Sequence, residues 1–222
     1  MVASKGLRKG RFITFEGGEG SGKSTQVKML VESLATRGIE AVATREPGGS
    51  PDAEVLRTAL LSGLVAPLGP AAEAMIFSAA RIDHLDKLIK PALARGAFVV
   101  CDRFADSTRA YQGALGNLSE SFIDGLEHVT VGDSMPDLTF ILDVPAEIGL
   151  ARAARRRGDD AVDRFEAETI DFHRALLAAF HDIAERNPHR CVIIDAARRP
   201  NHVAALIWHQ VEARLLSKTS LT

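Results

Sequence analysis

At 222 residues, 46% hydrophobic and 25% charged, the chain has the size and balance of one soluble globular domain that needs no disulfide or metal staple. Its 27 Lys and Arg against 29 Asp and Glu leave a net charge of −2, which argues against a strongly basic nucleic-acid binder while leaving room for a local basic site, and no apolar stretch approaches the ~20 residues of a membrane span. Two cysteines, Cys101 and Cys191, lie inside apolar runs and form no disulfide framework, which points to reduced core thiols in a cytoplasmic protein.

The leader Met1–Arg11 is basic, but the apolar core of about 7–15 residues that a secretory signal needs does not follow it. Arg11–Phe15 is a short β-rich run that stops at a glycine cluster. From Lys23 to Arg37 the pattern turns helical, with Val27, Leu30, Val31 and Leu34 on one stripe and Gly38 as C-cap. Glu40–Thr44 reads as a second strand, broken by Pro47-Gly48-Gly49. Pro51–Leu61 reads as a helix started by its proline, and Ala71–Ala94 as a longer helix carrying Met75, Phe77 and Leu85. Ala97–Cys101 is an apolar run bounded by Gly96 and Asp102, the signature of a strand buried on both faces. Helical stretches near 106–114 and 119–131 follow, then a strand over Asp137–Val144 and another helix. The charged segment Arg152–Asp163, a helix over Arg164–Arg186, a strand over Arg190–Asp195 and a helix over Asn201–Leu216 complete the chain. Five short strands separated by helices predict an α/β fold of three layers, α/β/α, around a five-stranded parallel sheet, in one domain spanning 1–222. Ligands bind such sheets at the C-terminal ends of the strands.

The most informative segment is Gly17-Gly18-Glu19-Gly20-Ser21-Gly22-Lys23-Ser24, which matches G-x-x-x-x-G-K-[ST] between a strand and a helix. The glycines let backbone N–H groups curl into an anion cradle, and the following helix adds its positive end. Gly17, Gly18, Glu19, Gly20, Ser21, Gly22, Lys23, Ser24 and Thr25 are therefore the expected ATP-binding residues. Lys23 would reach the β/γ-phosphates and the Ser24 hydroxyl would hold Mg²⁺. The strand Phe98–Cys101 ends in Asp102, whose carboxylate is placed as a second Mg²⁺ ligand, or caps the next helix, or does both. The chain has no Asn-Lys-x-Asp guanine box and is short for a motor domain, which leaves a small kinase with a second substrate site and a lid.

Three further segments narrow this. Glu16–Thr25, then Thr44-Arg45-Glu46-Pro47-Gly48-Gly49, then Asp102-Arg103-Phe104 with Ser107-Thr108 and Tyr111-Gln112-Gly113, resemble the bacterial thymidylate kinases over about residues 10–210. The resemblance implies a phosphate-loop kinase fold and transfer of the γ-phosphoryl group of ATP to dTMP, giving dTDP on the route to dTTP. It also implies a homodimer. By the same resemblance Phe77 stacks on thymine and Arg81, one helical turn on, bonds a base carbonyl. Without the resemblance this pair would read as a core Phe beside a solvated Arg. Arg103 would hold the dTMP phosphate through its planar fork. Arg57 would join it, or be a solvated helix arginine. Ser107 and Thr108 would face the polar edge of the base. Tyr111 would lie beneath the deoxyribose, or be an ordinary core aromatic, and Gln112 beside it is a neighbouring contact. Glu19 would accept a hydrogen bond from the 3′-hydroxyl. The segment Arg152–Asp163 resembles the family's lid, with Arg155 and Arg157 as the expected catalytic arginines, Arg156 left as the alternative between them, and Asp163-Arg164-Phe165-Glu166 closing it. Catalysis would then rest on Lys23, Arg103, Arg155 and Arg157. A kinase for another nucleotide or nucleoside, and a module that only binds ATP, are the rival readings.

Overall fold

The computed structural model describes residues 10–158 and 164–216. Five strands, β1 (Arg11–Glu16), β2 (Ala41–Arg45), β3 (Phe98–Asp102), β4 (Leu138–Asp143) and β5 (Cys191–Asp195), form one parallel sheet in the order β2-β3-β1-β4-β5. β3 and β4 present mainly Phe, Ile, Leu, Val or Cys and β1 buries its Phe and Ile, as strands covered on both faces do, whereas the edge strand β5 leaves Ile193 exposed. Chain direction across the sheet reverses at β1, the central strand, so β1 ends at the crevice where open α/β sheets bind ligands. All five strands end in a charged residue, namely Glu16, Arg45, Asp102, Asp143 and Asp195.

Nine α-helices are described: α1 (Lys23–Ala35), α2 (Pro51–Leu61), α3 (Gly69–His84), α4 (Lys90–Ala94), α5 (Ala105–Thr108), α6 (Glu120–Thr130), α7 (Ala146–Arg157), α8 (Ile170–Arg186) and α9 (Pro200–Val211). Leu30 and Leu34 of α1 and Val203 and Ile207 of α9 pack against Ile13, Phe15 and Phe140 on one face of the sheet. Leu85, Ile89 and Ala92 cover Phe12, Val99 and Cys101 on the other, with Leu176 and Phe180 of α8 against Ile141 beside them. This is the three-layer α/β/α arrangement that the alternation of patterns implies. Among the described residues no single helix is long and apolar enough to cross a membrane.

Three local differences from the sequence reading have physical causes. The second strand is displaced by one residue, to Ala41–Arg45, because its register is set by Ala41 opposite Phe98 and Arg45 opposite Asp102. The long helix over 71–94 is interrupted at Leu85–Ile89 by a wider π turn, and α5 runs into a second such turn at Arg109–Leu115. The helix expected over Arg164–Arg186 begins only at Ile170. Its start is fixed by the Thr169 hydroxyl, which accepts from the Phe172 N–H. Upstream, Phe165 packs edge-on against Tyr111 at 5.3 Å and Arg164 pairs with Glu73, contacts that hold 164–168 in turns instead. Residues 159–163 of the expected lid lie outside the described residues.

Candidate active site

The loop between β1 and α1 follows from its glycines. Gly17, Gly20 and Gly22 stand at φ of 134°, 65° and 95°, a region that a Cβ makes costly. A Cβ on Gly20 would also collide with the Gly149 carbonyl of α7, so the loop and α7 can approach closely only with glycine there. Within the loop Lys23 is buried, and its ammonium donates to the Gly17 carbonyl at 3.0 Å, the Gly18 carbonyl at 2.8 Å and Ser21 Oγ at 3.3 Å. Burial, with Arg103 adding repulsion, brings the Lys23 amine down to about 8.

A cavity of about 230 Å³ opens beside this loop. Lys23, Ser24 and Asp102 border its loop end, and Arg57, Phe77, Arg81, Arg103, Ser107, Thr108, Tyr111 and Gln112 border the rest. Sequence positions as far apart as Glu19 and Phe165 thus meet at one site. Six cations border it (Lys23, Arg45, Arg57, Arg81, Arg103 and Arg156) against three carboxylates (Glu19, Glu46 and Asp102), a balance that draws polyanions. A second cavity on the outer side of the loop is bordered by Gly20, Ser21, Gly22 and Thr25 and by Ala196 and Pro200 after β5. The carbonyls of Ala196 and Ala197 accept from the Arg152 guanidinium at 2.9 and 3.0 Å, and that of Pro200 accepts from the Gln26 amide at 3.0 Å.

Arg103 follows β3 at φ 67°, and its N–H donates to the Phe15 carbonyl. Its guanidinium donates to Glu19 Oε1 at 2.5 Å, to the Gly17 carbonyl at 3.2 Å and to Ser107 Oγ at 3.3 Å. The Tyr111 hydroxyl donates to the same Glu19 oxygen at 3.3 Å. Burial works to raise Glu19, yet Arg103, Lys23 and the Tyr111 hydroxyl outweigh it and bring the carboxyl down to about 2. A carboxylate inside a phosphate loop therefore has its charge balanced locally. Burial likewise disfavours the charge on Arg103, but Tyr111, Glu19 and Asp102 more than offset it.

Part of the cavity wall is aromatic. Phe77 lies 6.4 Å from Phe165 between ring centroids, and Phe165 also meets Tyr111. The π turn at Arg109–Leu115 brings Tyr111 and the adjacent Gln112 both to the cavity, where Gln112 donates to Glu73 at 3.4 Å. Arg81 is buried, with Nε on Glu46 Oε2 at 2.8 Å and Nη2 on Thr108 Oγ1 at 3.0 Å. Arg57 Nη1 donates to the Pro47 carbonyl at 2.6 Å.

The arginines of α7 divide by helical position. Arg156 borders both cavities. Arg155 is exposed and Arg157 donates to Glu166 at 2.5 Å; neither borders these two cavities. Residues that the motifs contain or adjoin, but to which the sequence reading gave no site role of their own, also shape the site. Phe165 is one, and Glu46 with its partner His84 is another, legible only as the Glu of Arg45-Glu46-Pro47 and a His three residues after Arg81. Glu16 is the third: its Oε1 accepts from the N–H groups of Phe104 at 2.7 Å and Ser107 at 3.3 Å, and its Oε2 from Ser107 Oγ at 2.5 Å.

The donor chemistry fits Mg²⁺. Ser24 and Asp102 offer hard oxygens at the loop end of the cavity, with Ser24 open to solvent, and Mg²⁺ binds proteins through one or two such groups while keeping several waters.

Comparison with known proteins agrees with this geometry. The sequence model of the family described as thymidylate kinase matches residues 15–207. A thymidylate kinase of Rhodopseudomonas palustris is 58% identical over 220 residues, covering 97% of this chain and 96% of its own. One of Bradyrhizobium sp. is 55% identical over 217 residues, covering 98% and 96%. The crystal structure of thymidylate kinase from Ehrlichia chaffeensis superposes with a TM-score of 0.74 at 35% identity, covering 91% of this chain and 98% of that one. With the phosphate loop, Asp102 at the end of β3 and the aromatic, arginine-rich cavity all in place along a chain matched almost end to end, this protein belongs to the thymidylate kinase family.

Proposed function

We propose that this chain transfers the γ-phosphoryl group of ATP to dTMP, giving dTDP and ADP. The observation that carries the reading is the joining of a phosphate loop to a net-positive cavity walled by Phe77 and Tyr111. In this reading ATP lies along Gly17–Thr25, with its adenosine end in the outer cavity beside Ala196–Pro200. The acceptor fills the inner cavity. Phe77 stacks on the base, Arg81 donates to a base carbonyl, and Ser107, Thr108 and Gln112 line its polar edge. Tyr111 sits under the sugar, and Glu19 takes its 3′-hydroxyl. Arg57 and Arg103 hold its phosphate.

The acceptor is itself an anion, so a strong general base is unnecessary. The work falls to positioning and charge neutralisation. Lys23 meets the transferring phosphoryl group from the loop. An α7 arginine meets it from the lid at about 152–163, and Arg156 has the position for that role, ahead of Arg155 and Arg157. Ser24 and Asp102 would hold Mg²⁺, which neutralises charge on the β- and γ-oxygens when bound. We further read the chain as one cytoplasmic domain, acting as a homodimer on small molecules and not on nucleic acid or membranes. Two free buried cysteines suit a reducing compartment.

The test is ADP release with Mg-ATP and a panel of acceptors. Fast turnover on dTMP, slower on dUMP and none on thymidine is expected. Preference for a purine monophosphate, or turnover on thymidine, would overturn the acceptor assignment.

A further inference from the structure

Arg81 points its guanidinium to the base end of the cavity, and something must hold it there. A free arginine side chain carries about 2 kcal/mol of rotamer entropy, so an unheld one would sample several directions. Here Nε donates to Glu46 Oε2, and Glu46 is itself held. Glu46 Oε1 lies 3.1 Å from His84 Nδ1, and His84 Nε2 lies 2.7 Å from Thr44 Oγ1. Glu46, Arg81 and His84 are all buried, and His84 is fully so. Gly49, at φ 86°, closes over the far end, where a Cβ would run into both His84 and Thr44. One hydrogen pattern satisfies every member. The Thr44 hydroxyl donates to Nε2, the Nδ1–H donates to Glu46, and Glu46 accepts from Arg81.

Neither His84 nor Thr44 borders the cavity, so neither can touch an acceptor. Both lie on elements that do reach it: His84 sits one turn after Arg81 on α3, and Thr44 precedes the Arg45–Pro47 rim. We propose that His84 and Thr44 are positioning residues for base recognition, holding Glu46 in the orientation that aims Arg81 at the acceptor's base edge. This rests on the dTMP reading above. A guanidinium only donates, so the edge it meets must accept. A pyrimidine with a 4-carbonyl satisfies it; a 4-amino pyrimidine leaves donors facing donors in a buried site and is refused. Loosening the relay should therefore cost discrimination between these two acceptors, and not turnover in general.

The experiment measures kcat and KM for dTMP, dCMP and ATP in the wild type, His84→Leu, His84→Asn, Thr44→Val and Arg81→Gln. His84→Leu keeps the bulk and removes both ring nitrogens; His84→Asn returns an N–H donor near the place of Nδ1. His84→Leu is expected to lower the dTMP-to-dCMP ratio of kcat/KM about tenfold, the equivalent of roughly 1.4 kcal/mol. The loss should fall on KM for dTMP, with KM for ATP unmoved. His84→Asn should restore most of the ratio. Thr44→Val should shift it the same way by less, and it decides the matter if His84→Leu does not fold. If Arg81→Gln lowers the ratio while His84→Leu and Thr44→Val leave it at the wild-type value, the positioning role is overturned and the dTMP reading stands. If Arg81→Gln leaves the ratio unchanged, the base contact falls and the positioning role falls with it.

Discussion

Arg103 shows how a functional side chain is held against its own backbone preference. At φ 67° it stands in the left-handed region, where a residue with a Cβ is strained. The restraint comes from Glu16, whose two carboxyl oxygens take three donors from Phe104 and Ser107 just beyond Arg103. Burial, with the nearby charge of Asp106, pushes the Glu16 carboxyl up to about 8, against the lowering effect of Ser107 and Arg103. A group whose pKa rises on folding supports the fold fully below its unfolded value and loses that support as pH rises through the folded one. Its window here runs from about 4.5 to about 8. Glu16→Gln keeps one acceptor oxygen for the Phe104 and Ser107 N–H groups, turns the other position into a donor that Ser107 Oγ can accept, and removes the titration. In urea unfolding, the wild type should therefore lose stability relative to Glu16→Gln between pH 5 and 8, by a few kcal/mol at about 1.36 kcal/mol per pKa unit. Parallel pH profiles for the two proteins would show that Glu16 is ionised throughout and that its donors, not its proton, hold the turn.

Helix α7 poses the problem of three adjacent arginines. Residues next to each other on a helix point about 100° apart, so Arg155, Arg156 and Arg157 cannot share a target. Arg156 borders the cavity, Arg157 is taken by Glu166, and Arg155, exposed as Arg156 is, does not border it. Arg156→Ala is expected to lower kcat about a hundredfold, the scale of losing one preorganised cation at a developing charge. Arg155→Ala should stay within about twofold, as surface substitutions do. Equal losses in steady-state assays of the two variants would mean that α7 turns when nucleotide binds. This choice was not legible in the sequence, because a run of arginines has no internal mark of phase. Gly17–Thr25 is the opposite case. Its glycines and its Lys-Ser pair are required by the backbone path and the anion, so spacing alone locates them. The strands were legible for the same reason, being short apolar runs between glycine and charge. What escaped were the features that only tertiary contact decides. Turns at 164–168 replace helix because Phe165 and Arg164 have partners on α3 and the π turn, and the Glu46–His84 pair joins segments 38 residues apart.

At the scale of the molecule, α3 connects the site to the outer surface. Seven residues nearly complete two helical turns, so Met75 and Ile82 share one side of α3, and Phe77 and Arg81, four apart, share the opposite side. The inner side meets the cavity. The outer side leaves Met75 53% and Ile82 41% exposed, and the neighbouring α2 and α6 carry exposed Val55 and Val129. On the homodimer reading proposed above, a second copy is expected to cover Met75 and Ile82. Such a contact would also brace the helix that presents Phe77 and Arg81, which ties assembly to acceptor binding. Sedimentation velocity at micromolar concentration should show the wild type at twice the chain mass. Met75→Glu combined with Ile82→Glu places two charges at the centre of the face and should yield a monomer, because an unpaired buried charge costs several kcal/mol. That monomer should keep its KM for ATP, which on the proposed reading lies along the phosphate loop and in the outer cavity, and show a KM for dTMP raised several-fold. A wild type that sediments as a monomer overturns the dimer; a dissociated variant with an unchanged KM for dTMP would keep the dimer but separate it from the acceptor site.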